Sequence, residues 1–402
     1  MREGWEFKKL GEACKVERGS SPRPIRNFVT DDDDGVNWIK IGDVGENDKY
    51  VVQTKQKITK KGAQKSRFVD VGDFILSNSM SFGRPYIMKI QGYIHDGWFV
   101  LRLYENLDSN YFWYLLSSPL LSEQFKDLAA GAIVKNISGD LVKKAKIPIP
   151  PLEEQKQIVT ILDEAFTAID QAKANIEKNI TNAKELFQSK LNDIFSQKGN
   201  GWEEKKLIEI CDVKDGTHDS PKYVDEKDGI PFVTQKNILE NGISFENTKF
   251  ISKYDHNHFY KRSNVAYNDI LFAMIGANRG MACIVDDKRV FSIKNVGLIK
   301  SNENYRAKFI LYFFKSPIAK KYVAENSSGS AQGFIGLTKL RAFTIPYTNI
   351  ENQRRIELQI ESLNDAINTS IFNYNLKLNS FEELKKSILQ KAFTGELTQK
   401  EV

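Results

Sequence analysis

The chain has 402 residues, 41% hydrophobic and 27% charged, with a formal net charge of +6. These figures describe an ordinary globular protein long enough for two or three domains, and they exclude a collagenous, low-complexity or membrane-embedded chain. Three cysteines (Cys14, Cys211 and Cys283) are an odd count and too few for a disulfide framework, which points to a reduced, cytoplasmic protein. The opening residues hold no apolar leader core, and no run approaches the length of a membrane span. The excess of base favours a polyanionic partner, but only slightly.

In chain order, DDDDG at 31–35 reads as a solvated turn. Its four adjacent carboxylates face different directions and make no metal cage. VNWIKIGDV at 36–44 alternates apolar and polar residues and predicts a strand. DFILSNS from Asp73 is a short apolar run after a turn residue, also strand-like. YFWYLLSSPLLSEQFKDLA from Tyr111 predicts helix, broken near Ser118-Pro119. Pro148, Pro150 and Pro151 then close the first globular stretch, 1–150.

From 151 to 198 there is no Gly or Pro after Pro151. Ile158, Leu162, Ala165, Ile169, Ala172 and Ile176 recur in steps of four and three, the seam of a helix packed on another helix. Such a helix would be roughly 70 Å long. A single core has little use for a rod of that length; a spacer between domains does. The second globular stretch, 199–346, holds strand-like IPFVTQKNI and DILFAMIG. Its KYDHNHFYKR segment predicts a surface loop carrying His256 and His258. A second rod fills 347–402. Its apolar positions are Ile356, Ile360, Leu363, Ile367 and then Ile371, Tyr374, Leu378, Phe381, Leu384 and Ile388, with a register slip between Ile367 and Ile371. The two rods are expected to cover each other's seams.

Self-comparison gives the strongest signal. GWEFKKLGEACKVERG at 4–19 matches GWEEKKLIEICDVKDG at 201–216 at ten of sixteen positions, and the offset stays near 197 residues along the chain. Asp73 faces Asp269, Ser118-Pro119 faces Ser316-Pro317, and Leu186, Ser189 and Phe195 face Leu384, Ser387 and Phe393. The edges agree while 20–70 and 217–266 barely align. The expected fold is α+β: two similar globular domains separated by two long antiparallel coiled-coil helices, one unit used twice with approximate two-fold symmetry. Shared edges suggest one scaffold, and divergent interiors suggest different targets.

The GW-x-x-KKL opening, the polar divergent interior, the IP-x-P exit and the long helix, repeated once, resemble the specificity subunit of Type I restriction-modification systems. PIPIPPLEEQKQIVTILD and the tail LKKSILQKAFTGELT are the most specific pieces. The second exit keeps Ile345-Pro346, Glu351, Gln353 and Ile356 but lacks the proline run, so the pattern does not fix where its helix begins. The resemblance implies a non-catalytic DNA-binding subunit. Each globular stretch would be a target-recognition domain for one half of a split, asymmetric sequence. The helices would set the unread spacer and dock two methyltransferase subunits, with restriction and translocase subunits joining them. S-adenosylmethionine, ATP and magnesium would belong to those partners, and no cofactor to this chain.

The residues alone agree that chemistry is missing. There is no phosphate loop, no asparagine-proline-proline-aromatic tetrapeptide, no nucleophile elbow and no cysteine pair to complete a zinc site with the histidines. Base edges are read by Arg, Asn and Gln, and phosphates are held by Lys, Ser, Thr and backbone amides. Three groups of loops offer such residues. Ser77, Asn78, Ser79 and Arg84 lie in 76–85, with Asn278 and Arg279 in the counterpart 272–281. Lys135 and Asn136 lie in 129–141, with Gln332 and Lys339 in 327–340. Thr217, His218 and Lys222 lie in DGTHDSPKY at 215–223. Phe166, Phe187, Leu191 and Phe372 are the apolar positions expected to meet partner helices. The rival reading is a coiled-coil scaffold that joins proteins and never meets DNA.

Overall fold

The computed structural model describes residues 4–46, 48–78, 83–104, 107–129, 138–197, 201–303, 305–327 and 333–398. The chain forms two units: Met1–Asn175 with Leu376–Val402, and Ile176–Asn375. Each takes half of each long helix. The long helices expected as spacers between domains also give their apolar seams to the two cores.

In the first unit the opening strand Glu6–Lys9 pairs antiparallel with the closing strand Lys146–Ile149. This is an isolated two-stranded ribbon, where a proline such as Pro148 is tolerated. A one-turn helix, Leu10–Ala13, follows, and Cys14 Sγ donates to Leu10 O at 3.3 Å. One five-stranded sheet runs in the spatial order Cys14–Arg18, Trp98–Leu103, Phe74–Ser77, Pro85–Met88 and Tyr50–Val51. A second runs Val29–Thr30, Gln56–Ile58, Val36–Ile39, Gly92–Ile94 and Arg67–Val69, with Val36–Ile39 and Gly92–Ile94 parallel.

Successive side chains on a strand point to opposite faces. Phe99 and Leu101 therefore join Phe74, Leu76, Tyr111, Phe112, Leu115 and Phe125 in one core, while Trp98 and Val100 join Ile39, Ile75, Tyr86 and Ile94 in another. That is why WFVLRL is an unbroken apolar run up to its last two residues. Helices Ser109–Leu116 and Pro119–Ala129 cover the first core; the break between them falls at Ser117-Ser118, with Pro119 at a first-turn position. Ile158, Val159 and Leu162 of the first long helix, Leu152–Phe195, complete it. So do Leu389, Ala392 and Phe393 of the second, Ile350–Thr394. The two helix segments run antiparallel here: Asp170 accepts from Lys385 at 2.5 Å, Lys173 pairs with Glu382, and Thr398 donates to Glu154 at 2.6 Å.

The second unit repeats this plan. Trp202–Lys206 pairs with Thr344–Thr348, and Cys211 Sγ donates to Leu207 O at 3.3 Å. One sheet runs Val213–Asp215, Val296–Ile299, Ile270–Ala273 and Ala282–Ile284. The other runs Tyr223–Val224, Lys249–Ile251, Ile230–Val233 and Ser292–Ile293, again with one parallel pair. Stretches that barely align in sequence thus share the order of three strands, while Tyr50–Val51 and Arg67–Val69 of the first unit have no counterpart in the four-stranded sheets of the second. Leu191, Phe195, Ile356 and Ile360 of the long helices belong to the principal core. Tyr347 lies in the closing strand, so the second helix starts at Ile350 and not at 347.

Two buried glutamines join helix to globular part at matching places. Gln155 Oε1 accepts from Asp108 N at 2.8 Å and its Nε2 donates to Pro150 O at 2.8 Å. Gln353 Oε1 accepts from Arg306 N at 2.9 Å and its Nε2 donates to Thr348 O at 2.7 Å. The three thiols are buried and unpaired, and burial pushes each up to about 12.

Candidate nucleic-acid interface

The expected loop residues divide into those turned inward and those left at the surface. Ser77 and Asn78 are buried at the end of a strand. Ser77 Oγ accepts from Arg84 N at 3.0 Å, and Asn78 donates from its backbone to Gly97 O at 2.8 Å. Thr217 is also buried; its Oγ1 accepts from Asp219 N at 3.1 Å. Asn278 Nδ2 reaches the carbonyls of Gln235 and Ile238 at 3.4 and 3.3 Å. The side chains of Ser77, Thr217 and Asn278 thus hold backbone groups of this protein.

Arg84, His218, Lys222 and Lys339 do reach the surface. Arg84 pairs with Glu46 at 2.9 Å, and Lys339 donates to Asn326 Oδ1 at 3.4 Å. Arg279 is half-buried, with its Nε buried and unpartnered among the described residues. Ser79, Lys135, Asn136 and Gln332 lie outside the described residues. Of the four partner-facing expectations, Leu191 is a core residue, 1% exposed. Phe166 packs edge-on against Tyr114, with ring centres 5.6 Å apart, and Phe187 is half-buried on the second unit's core. Phe372 is open, 62% exposed. The packed faces of the long helices take in Phe166, Phe187 and Leu191, and leave Phe372 outside.

His256 belongs to a helix, Lys253–Ser263, and not to a surface loop. It is buried and meets Ser292 Oγ at 2.8 Å through Nδ1. The helix buries few apolar residues, so periodicity did not reveal it. Its caps, Ser252 and a left-handed Asn264, carried the signal.

A matched loop in each unit emerges only from the structure. After the first sheet strand, Gly19 N donates to Trp98 O at 2.8 Å and Ser20 N to Ile94 O at 3.2 Å. In the second unit Gly216 N donates to Val296 O at 2.9 Å and Thr217 N to Ile293 O at 3.1 Å. A Cβ on Gly19 would lie 2.0 Å from His95 O, and one on Gly216 2.2 Å from Ile293 O, so both positions require glycine. The loop is thus pressed on the turn before the central strand, His95-Asp96 in one unit and Lys294-Asn295 in the other.

The side chains at this junction differ. In the first unit Asp96 accepts from Ser21 Oγ at 2.6 Å and from Arg23 at 3.4 Å. The Ser21 hydroxyl is the main cause holding the Asp96 carboxyl below the usual range. His95 Nδ1 accepts from Gly97 N at 2.8 Å, and burial lowers its pKa, which favours the neutral ring. A groove of about 840 Å³ opens here, lined by Pro22, Arg23, Trp38, Lys40, His95 and Asp96 among others. In the second unit His218 meets Asn295 Oδ1 at 2.6 Å and Asp215 Oδ2 at 3.1 Å, Lys294 donates to Ser220 Oγ at 2.5 Å, and Arg262 grips the buried Asp215 at 2.6 Å. The signal in sequence was the repeat ending on Gly19 and Gly216, each followed shortly by Ser-Pro.

Among the described residues no group of three or more His, Cys, Asp or Glu side chains could hold a metal ion, and no helix is long and apolar enough to cross a membrane. Residues 2–182 and 199–388 each match the family model for the Type I restriction modification DNA specificity domain. The chain belongs to that family. A Type I restriction enzyme specificity subunit from Methanocaldococcus jannaschii, MjaIX, is 23% identical over 99% of this chain and 94% of its own. The EcoBI specificity subunit of Escherichia coli is 27% identical over 66% of this chain and 61% of its own. Among solved structures, an HsdS subunit from Thermoanaerobacter tengcongensis superposes with a TM-score of 0.60 at 18% identity, covering 99% of this chain and 98% of that one. A chain from a type I R-M system structure reaches 0.72 at 19% identity over 99% of both. Family membership makes this chain a specificity subunit, non-catalytic itself, for DNA target recognition within a restriction-modification complex.

Proposed function

We propose that this specificity subunit reads a bipartite, asymmetric DNA sequence, one half-site per unit, and directs methyltransferase and restriction subunits to it. The observation that carries this is the matched loop: one backbone frame in both units, bearing Ser21, Arg23 and Asp96 in the first and His218, Lys294 and Asn295 in the second. A frame kept while its side chains change suits two readers of different sequences. Two methyltransferase subunits would dock on the repeated helices, and S-adenosylmethionine, ATP and magnesium would be bound by the partners. The buried, unpaired thiols suit a cytoplasmic setting.

The test is a salt titration of the chain with its methyltransferase subunits on duplex DNA carrying the methylated target. Six to ten phosphate contacts would weaken binding roughly a thousandfold or more from about 50 to about 200 mM salt. A flat response would favour the protein-joining scaffold. Exchanging residues 20–145 for those of a relative with another target should change one half-site; both changing together would refute independent reading.

A further inference from the structure

The loop-on-turn junction has three properties of a reading position. It is rigid, because a glycine lies against a carbonyl in each unit and two backbone hydrogen bonds pin the loop. It is open: the Asp96 side chain is 44% exposed and Arg23 82% exposed, beside a groove in the first unit. It also changes chemical sense between the units. Asp96 is an acceptor positioned by the Ser21 hydroxyl at 2.6 Å, whereas Lys294 at the neighbouring turn position of the second unit offers only donors. The cations Arg23 and Lys40 on the groove complement a phosphate backbone, and Arg26 lies in the same loop segment.

The geometry points to this junction as a base-specifying site in both units: Asp96 accepts from a cytosine amino group in one half-site, and Lys294 donates to guanine in the other. A carboxylate accepts from cytosine N4, and a lysine donates to guanine O6 and N7, in the major groove. Arg23, which also donates to Asp96 at 3.4 Å, stands at the rim as a phosphate holder. This rests on the reading of each unit as a half-site reader, and it adds which residues choose the base.

The experiment selects bound sequences from a randomised duplex library, using the full chain assembled with its methyltransferase subunits. The wild-type complex should require cytosine at one position of one half-site and guanine at one position of the other. Asp96→Asn should move the first preference from cytosine toward adenine by about tenfold, since asparagine pairs with adenine N6 and N7. Lys294→Met should relax the guanine by about tenfold and leave the first half-site alone. Arg23→Ala should weaken all sequences evenly and lower the salt slope by about one.

Ser21→Ala separates reading from loop support. It removes the hydroxyl that steadies Asp96 but leaves the carboxylate, so the cytosine preference should persist. If Ser21→Ala reproduces the Asp96→Asn shift, or if Asp96→Asn changes both half-sites or none, the assignment is overturned. A wild-type complex that selects no sequence would instead overturn DNA reading as a whole, so the two failures are distinguishable.

Discussion

Gln155 and Gln353 each hold one backbone N–H and one carbonyl where a long helix meets its unit, and both are fully enclosed. A leucine there would keep the volume and leave both backbone groups without a partner. Gln155→Leu and Gln353→Leu are each expected to cost about 2–4 kcal/mol, read by chemical denaturation; a loss below about 0.5 kcal/mol would refute the role. Burial also lowers the pKa of His95 and His256. The unfolded chain takes up protons at these rings near pH 6.5, the folded chain only at lower pH. Stability is therefore full above about pH 6.5 and falls as pH drops below it. Replacing both by glutamine should reduce the fall in Tm between about pH 7 and pH 5.5, and an unchanged fall would sink the assignment. At this scale the sequence did not reveal which loop side chains are buried. Ser77 and Thr217 are loop polars that look free, but strand ends leave backbone groups needing partners, and short polar side chains are nearest to supply them.

At the scale of elements, the long helices were legible because helical periodicity accumulates over many turns without interruption. The strands after Asp73 and Asp269 were legible because they are buried on both faces and read as apolar runs. The strand order that 20–70 and 217–266 have in common was not legible. A sheet ladder is made by backbone groups, so strand order survives side-chain replacement that erases alignment. The matched glycines were visible, but their reason lay in a carbonyl about eighty residues away in sequence, beyond any local pattern. The continuous helices carry a prediction of their own. Adding seven residues to both, at the unit boundaries near Asn175 and Asn375, lengthens each by about 10 Å. That is roughly three base pairs of duplex. Mapped methylation sites should show a longer unread spacer with both half-sites unchanged; an unchanged spacer would refute the helices as its ruler.

For the molecule as a whole, the division into units cuts across the order of the sequence. The first unit includes the far end of the chain, since Leu389, Ala392 and Phe393 lie in its core beside Leu10 and Ile158. Ending the chain at Asn375 should therefore damage the first unit although its globular part is intact, while the second keeps its fold. Hydrogen exchange by mass spectrometry would check this, with protection expected to fall in Trp98–Leu103 and to persist in Val296–Ile299. Loss of protection in both would mean that the second unit does not fold without an intact first.

That division also bears on synthesis. A ribosome joins every residue of the second unit before it makes Leu389–Phe393, so the half of the molecule begun first is the half finished last. Until then Ile158 and Leu162 lack their covering, and the nascent chain carries an exposed apolar stripe that a chaperone could shield.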